Sequence, residues 1–183
     1  MSLISSVYIA TSLDGYIARE DGSLDWLDSA NERVPEGEDF GYALFMDSVD
    51  ALVMGRNTYE KVLSFGAWPY GDKPVIVLSR HRLEIPPHLS KMVEHSSQTP
   101  EELYMRLSKK GFSRLYIDGG ITIQRFLAVG LIKDLTITVI PIIIGRGKSL
   151  FGSLDKDIEL KHIVTKSYEF GFVQSSYEVV HHV

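Results

Sequence analysis

The amino-acid sequence predicts a single α/β domain with one mixed, mostly parallel β-sheet, helices on both faces and a C-terminal antiparallel hairpin. Short β-rich runs alternate with helix-like segments along the chain, which is typical of βαβ units. Residues 74–78 (PVIVL) and 115–117 (LYI) have no polar face, as expected for strands covered on both sides. Residues 158–169 and 172–180 surround Gly171 and read as the two strands of the hairpin.

The first part of the chain contains four predicted elements separated by turn signals. Residues 4–10 (ISSVYIA) form a β-rich run, and the pairs Asp14-Gly15 and Asp21-Gly22 after it predict turns. Residues 39–49 have the apolar spacing of a helix. Residues 51–54 then predict a short buried strand, and residues 57–63 predict the helix after it.

The later elements follow the same alternation. Thr99 is a predicted N-cap, with Pro100 at the first helical position, and Lys109-Lys110-Gly111 is the matching stop signal. The strand at 115–117 ends at Gly119-Gly120. It is followed by a predicted helix over 121–129 and a long strand over 135–144, in which Pro141 marks an edge or a bulge.

Composition limits the kinds of function that the chain can have. Its 183 residues, 44% apolar and 23% charged, predict one globular domain over residues 1–183. The net charge of −5 argues against nucleic acid or an anionic membrane as partner. Any bound anion must therefore be held locally, by a few cations and backbone N–H groups.

Other residue types exclude further classes of site. The chain has no cysteine, which excludes thiol catalysis, cysteine-bound zinc, iron–sulfur clusters and disulfides. Its six histidines are scattered, so we expect no metal site. We recognise neither a signal peptide nor an apolar run of membrane length, and we expect a cytoplasmic protein that does not bind membranes.

Three junctions at predicted strand ends carry residues that suit an anion. The carboxyl ends of parallel strands are the usual ligand sites of open α/β sheets, and the free N–H groups of a helix start attract negative charge. Glycine lets a phosphate approach the backbone, while arginine and threonine add donors. Together these junctions predict a clamp for a diphosphate and one further phosphate, as in NADPH, although the G-x-G-x-x-G and P-loop fingerprints are missing. The junctions are Gly55-Arg56-Asn57-Thr58, Ser79-Arg80 and Gly119-Gly120-Ile121-Thr122.

These junctions belong to a series of motifs that resembles the dihydrofolate reductase fold family. The segment at 130–151 resembles in particular the reductase domain of the bifunctional riboflavin-biosynthesis deaminase/reductase and its stand-alone relatives. Dihydrofolate reductases often have a third glycine where this chain has Ile121, and the deaminase half of the riboflavin enzyme is not present. The motifs are ATSLDGYIA at 10–18, VMGRNTYEKV at 53–62, VIVLSR at 75–80, YIDGG at 116–120 and GLIKDLTITVIPIIIGRGKSLF at 130–151.

The resemblance implies a cofactor site built from several of these residues. Residues 55–58 match the loop that holds the diphosphate and 2′-phosphate, and Ser79 with Arg80 matches the 2′-phosphate position, which favours NADPH over NADH. Gly119-Gly120 matches a glycine pair beside the diphosphate that is often joined by a cis peptide bond. Ala10 and the segment from Leu13 to Ile17 match the strand end and mobile loop around the nicotinamide.

The resemblance also suggests residues for catalysis and substrate binding. Counting back from Gly55 without a gap places Asp39 at the carboxylate that assists protonation of the substrate. A shifted alignment would select Glu38, and either acid could instead cap a helix. Trp26 lies near an active-site tryptophan of the family or is a core aromatic residue. Arg146 and Lys148 are possible contacts for a second phosphate.

The expected function is therefore that of an NADPH-dependent reductase. It would transfer a hydride to a C=N bond of a pyrimidine- or pterin-type substrate, most like 5-amino-6-(5-phosphoribosylamino)uracil reductase of riboflavin biosynthesis. Dihydrofolate reductase-type activity and a non-catalytic NADP-binding module are the alternatives. The riboflavin branch also implies a homodimer.

Overall fold

A computed structural model describes residues 2–181 of the chain. The helices in this range are all too short or too polar to cross a lipid bilayer. A short 3₁₀ turn covers Pro87–Leu89. The strands and helices, in chain order, are β1 (Ile4–Ser12), β2 (Tyr16–Ala18), α1 (Asp25–Asn31), α2 (Tyr42–Asp47), β3 (Ala51–Gly55), α3 (Arg56–Leu63), β4 (Val75–Leu78), β5 (Val93–Ser96), α4 (Pro100–Lys109), β6 (Arg114–Asp118), α5 (Gly120–Ala128), β7 (Ile132–Ile140), β8 (Lys148–Ser149), β9 (Leu160–Ser167) and β10 (Val173–Val179).

Eight of these strands form one mixed sheet in the order β5-β4-β3-β6-β1-β7-β10-β9. The pairs from β5 to β7 are parallel. β10 runs antiparallel to both β7 and β9. The predicted fold class is confirmed, because the sheet is mostly parallel and ends in the C-terminal hairpin. Strands β2 and β8 pair separately as a small second sheet that the sequence did not predict.

Helices cover both faces of the large sheet, and β3 shows why its residues are all apolar. Ala51 and Val53 pack into the core under α4 and α5. Leu52 and Met54 point to the opposite core, which α2 and α3 cover. Successive side chains of a strand face opposite sides, so a strand between two helical layers has no side left for polar residues.

Local capping explains where α4 begins. The Thr99 hydroxyl accepts the Glu102 backbone N–H at 3.3 Å, and the Glu102 carboxylate accepts the Thr99 N–H at 2.9 Å. Pro100 occupies the first turn, where a missing N–H costs nothing. The helix start predicted from Thr99, Pro100 and the acidic residues after them is therefore correct.

Several predicted boundaries were wrong where turn chemistry overrode apolar spacing. The helix expected over 39–49 begins only at Tyr42, because Phe40 and Gly41 both adopt positive φ. The strand expected over 135–144 ends at Ile140, before Pro141, which cannot donate to a ladder. Helix α1 and strand β5 were not predicted.

Candidate functional site

A cavity of about 630 Å³ opens at the carboxyl ends of β3 and β6, where α3 and α5 begin. The β2–β8 sheet and the start of α1 complete its wall. This is the ligand position expected for an open α/β sheet. The lining residues are Ile9, Ile17, Ala18, Gly22, Leu24, Leu27, Gly55, Arg56, Asn57, Thr58, Lys61, Val62, Phe65, Tyr70, Leu78, Asp118, Gly119, Gly120, Ile121, Thr122, Gln124, Arg125, Lys148 and Ser149.

Two glycine–threonine junctions interlock at the base of this cavity. β3 and β6 are neighbours with Met54 opposite Asp118, so Gly55, at the end of β3, and Gly119, directly after β6, lie side by side. A Cβ on Gly55 would lie 3.0 Å from Thr122 Oγ1, and a Cβ on Gly119 would lie under 3.0 Å from Thr58 Oγ1. Each threonine thus packs against the glycine of the other junction, which brings the two helix starts together.

The two helix starts leave backbone donors free at the cavity. The N-cap residues of α3 and α5 are Gly55 and Gly119, and neither helix has a side-chain cap hydrogen bond. The first N–H groups of a helix carry partial positive charge when nothing caps them. The junction therefore has uncapped backbone donors at the position where the sequence predicted an anion site.

Four cationic side chains line the same cavity. Arg56 Nε pairs with Glu60 Oε1 at 2.6 Å. Lys61, Arg125 and Lys148 take part in none of the ion pairs found between residues 2 and 181. An acidic protein has thus gathered unpaired positive charge at one cleft, where it can attract an anion.

Asp118 is the one carboxylate among the lining residues that the structure describes. It ends β6, and burial raises its pKa to about 6, although its Oδ1 accepts the Gly119 N–H at 2.9 Å. Burial raises the pKa of Tyr42 to about 12 and also raises the pKa of the lining residue Tyr70. The negative charge of Asp118 is a further cause of both shifts. A carboxyl that titrates near neutral pH can exchange a proton with a ligand.

The cavity brings together many of the residues that the sequence and the resemblance singled out, although it was not predicted to include Asp118. The motif YIDGG drew attention only to its glycines. An acid directly after a buried strand, beside a glycine junction, is the signal that would have identified it. The predicted residues that line the cavity are Ile17, Gly55, Arg56, Asn57, Thr58, Gly119, Gly120, Ile121, Thr122 and Lys148.

Ser79 and Arg80 lie next to the cavity rather than on its wall. β3 and β4 pair with Gly55 opposite Leu78, so Ser79 and Arg56 follow their strands side by side. The Ser79 hydroxyl donates to the His81 carbonyl and accepts the His81 N–H, at 2.9 and 3.1 Å. Arg80 is exposed. The two residues border the outer edge of the site near Arg56.

Four other predicted residues lie away from the cavity wall. Trp26 is 3% exposed and packs in a core with Ala10 nearby, which agrees with the core alternative for Trp26. Leu13 and Arg146 are exposed and do not line the cavity. All described peptide bonds are trans, including Gly119–Gly120, where the resemblance implied a cis bond.

Asp39 and Glu38 also lie outside the cavity. The Asp39 carboxylate accepts the N–H groups of Gly41 and Ala43 at 2.9 and 3.0 Å. These two hydrogen bonds lower the pKa of Asp39, and the bond from Ala43 has the larger effect. Glu38 accepts the Phe40 N–H at 2.8 Å. The expectation that an acid at this position faces the pocket is corrected, because the chain folds back before α2 and Asp39 caps that helix start.

No three His, Asp or Glu side chains between residues 2 and 181 are grouped so that they could hold a metal ion. The protein groups that line the cavity are the four cations, the backbone N–H groups of the two helix starts, the Asp118 carboxyl and the apolar wall.

Comparisons with known proteins place the chain in a family. The model of the RibD C-terminal domain matches residues 6–172. YwjB of Bacillus subtilis (strain 168) is 37% identical over 166 residues, which cover 88% of this chain and 90% of YwjB. The crystal structure of a putative riboflavin biosynthesis protein from Shewanella sp. PV-4 is 42% identical, with a TM-score of 0.91, and the match covers 98% and 100% of the two chains.

A more distant structure shares the fold. Dihydrofolate reductase from Enterococcus faecalis, solved in complex with NADP(H), matches with a TM-score of 0.60 at 18% identity, over 96% of each chain. The family match covers most of the sequence and includes every residue that lines the cavity. The chain belongs to the RibD C-terminal domain family.

Proposed function

We propose that this protein is an NADPH-dependent reductase that transfers a hydride to a C=N bond of a pyrimidine- or pterin-type heterocycle. The reaction would be most like that of 5-amino-6-(5-phosphoribosylamino)uracil reductase. The observation that carries the proposal is the cavity itself, which combines two uncapped helix starts, three unpaired cations and a carboxyl with a pKa of about 6. Membership of the RibD C-terminal domain family supports the same reaction class.

The cavity residues fit the phosphates of such a cofactor. The backbone at Gly55 and Gly119 would receive the diphosphate, and Arg125 and Lys148 would neutralise it. Arg56, with Arg80 beside it, would bind the 2′-phosphate that distinguishes NADPH from NADH. A charge-assisted hydrogen bond contributes about 1.5–3 kcal/mol, so a few of them suffice for micromolar binding.

The same wall provides what reduction of a C=N bond requires from the protein. When bound, the reduced nicotinamide supplies the hydride. The Asp118 carboxyl holds a proton for part of the time near neutral pH and can donate it to the nitrogen of the substrate. Its Oδ2 accepts no protein hydrogen bond within residues 2–181, so this oxygen is available to a ligand. Ile9, Leu78 and Tyr70 supply an apolar wall that excludes water.

Dihydrofolate reductase-type activity is the second candidate, favoured by the far wall of the cavity. Leu24, Leu27, Val62 and Phe65 form an apolar surface, and Phe65 is 55% exposed. Lys61 Nζ lies 5.9 Å from the centroid of the Phe65 ring. An aromatic substituent that ends in a carboxylate would fit this pair, whereas a sugar phosphate would use the cation and none of the apolar surface.

Cofactor titration tests the proposal. We expect NADPH to bind at least about tenfold more tightly than NADH, because one charge-assisted phosphate contact is worth about that factor. Arg56→Met and Arg80→Met should each reduce this preference, while Arg33→Met, which removes an exposed arginine outside the cavity, should not. Binding would be followed by cofactor fluorescence. Equal and weak binding of both cofactors would contradict the proposed function.

A panel of substrates then separates the candidate activities. NADPH oxidation would be measured with a phosphoribosylamino-pyrimidine and with a dihydropteridine carrying a benzoyl-glutamate tail. Turnover of the first supports the riboflavin-type reductase and turnover of the second supports the folate-type reductase. Tight NADPH binding without turnover of any C=N substrate would favour the non-catalytic NADP-binding module.

Replacing Asp39 separates a helix cap from a catalytic acid. We expect Asp39→Ala to lower the melting temperature by a few degrees, since two backbone N–H groups at the start of α2 lose their acceptor. NADPH oxidation at a permissive temperature should remain within about twofold of the wild-type rate. Asp39→Asn, which retains a capping oxygen, is the matched control. Loss of turnover in both variants at unchanged stability would restore a catalytic role for this residue.

A further inference from the structure

A small flap formed by residues 12–18 and 144–150 closes one side of the cavity. Its two strands, β2 and β8, pair through Tyr16 with Ser149 and Ala18 with Lys148. The flap contributes Ile17, Ala18, Lys148 and Ser149 to the cavity wall. Its two segments are far apart in sequence, so contacts with the rest of the domain must determine where it lies.

Asp14 fixes the flap at its turn end. Its Oδ1 accepts the Ser12 hydroxyl at 2.6 Å and the Ile144 N–H at 3.2 Å, while its Oδ2 accepts the Gly145 N–H at 2.8 Å. The Leu150 N–H donates to the Gly15 carbonyl at 3.0 Å. These bonds join the two flap segments to each other but leave the flap unattached to the helices.

Gln124 on α5 supplies that attachment. Its Nε2 donates to the carbonyls of Ser149 and Leu150, at 3.1 and 3.3 Å. A Cβ on Gly120 would lie 2.8 Å from the Ser149 carbonyl oxygen, and a Cβ on Gly152 would lie 2.5 Å from Gln124 Oε1. β8 therefore lies directly against the first turns of α5, where Gln124 hydrogen-bonds to its backbone and Ile17 and Leu150 pack in the adjoining core.

We propose that Gln124 is a positioning residue that fixes β8 on α5 and thereby places the Lys148 ammonium at the anion-binding wall of the cavity. Lys148 forms no ion pair within residues 2–181, and its Nζ lies 3.4 Å from where a Cβ on Gly22 would be. The backbone of the flap, rather than a partner charge, therefore sets the position of this ammonium. The inference rests on the proposed function, since it assigns Lys148 to a cofactor phosphate.

A double-mutant cycle with NADPH as the probe tests this role. Gln124→Met keeps the length of the side chain and removes its donor, and we expect a dissociation constant about three- to tenfold higher. Lys148→Met should weaken binding by at least as much. The double variant should bind no more weakly than Lys148→Met alone, because Gln124 acts through Lys148. Gln98→Met, outside the cavity, is the matched control and should leave the constant unchanged.

Limited trypsin digestion gives a readout that does not depend on the cofactor. Arg146 and Lys148 are exposed trypsin sites on the flap. Gln124→Met should accelerate cleavage after both residues, mapped by mass spectrometry, at an unchanged melting temperature. Additive effects in the cycle, or an unchanged cleavage rate, would overturn the inference. Failure of the wild-type protein to bind NADPH would defeat the proposed function instead, and cleavage would still decide whether Gln124 holds the flap.

Discussion

Replacing Asp118 by asparagine is expected to lower turnover and to raise stability above neutral pH. Burial raises the pKa of the folded-state carboxyl from 3.8 to about 6. A raised pKa means that the folded state binds the proton more tightly. The stability from this site is fully present below the unfolded pKa and is lost as pH rises through about 6. At pH 8 the buried charge then costs on the order of 1–3 kcal/mol, which Asp118→Asn removes.

The activity of the same variant should change in the opposite direction. If Asp118 donates the proton, wild-type kcat falls as pH rises through about 6, because the acid form disappears. Asp118→Asn cannot donate, so we expect kcat to fall by about 10²–10⁴-fold and to lose this pH dependence. The Gly119 N–H can still donate to the amide oxygen, which keeps the junction intact. Steady-state NADPH oxidation and thermal melts across pH 5–9 would measure both effects.

Asp39→Asn is the matched control, since it removes one carboxylate outside the cavity. We expect it to keep the wild-type pH profile. An Asp118→Asn variant with a wild-type rate and pH profile would show that the proton comes from elsewhere. If Asp118→Asn instead melts at a lower temperature than the wild type at pH 8, the folded state stabilises the Asp118 carboxylate rather than paying a cost for burying it.

Gly119→Ala should be strongly destabilising. Gly119 has a φ of +90°, and its new Cβ would overlap Thr58 Oγ1 at a distance that real side chains do not show. Backbone strain of this kind costs about 1–3 kcal/mol, and the overlap adds to it. We expect a loss of about 2–4 kcal/mol, which lowers the melting temperature by about 4–16 °C.

A second substitution separates the two causes. Thr58→Ala removes the hydroxyl that meets the new methyl group, so the double variant should recover the part of the loss that comes from overlap. Gly66→Ala is the control for strain alone, because Gly66 has a φ of +84° and no atom lies within 4 Å of the position that a Cβ would take there. If Gly119→Ala and Gly66→Ala lose the same free energy of unfolding, the contact between Thr58 and Gly119 makes no contribution to the loss.

The elements that the sequence predicted correctly are those whose cause is local. Residues 51–54 are apolar on both sides because helices cover both sides of β3, and this burial is visible in the residues themselves. The start of α4 is specified by Thr99, Pro100 and Glu102 within a single turn. The glycine junctions at 55 and 119 were recognisable for the same reason.

The misses share a different cause. Counting back from Gly55 along the chain assigned the catalytic carboxylate to Asp39. In the structure, the positive φ of Phe40 and Gly41 turns this acid toward the start of α2. Strands β2 and β8 are too short for a periodic pattern. Their pairing depends on contacts between Asp14 and residues 144–145, which spacing along the chain does not encode.

The sequence by itself determined the fold class, the order of most elements and the positions of the two glycine junctions, which we propose as phosphate sites. These follow from burial patterns and turn chemistry within a few residues. Only the tertiary structure decided that Thr58 meets Gly119, that Gln124 donates to the carbonyls of Ser149 and Leu150, and that burial raises the pKa of Asp118 to about 6. Each of these depends on the register between distant segments and on the burial that it produces, and neither quantity is a property of any local stretch of chain.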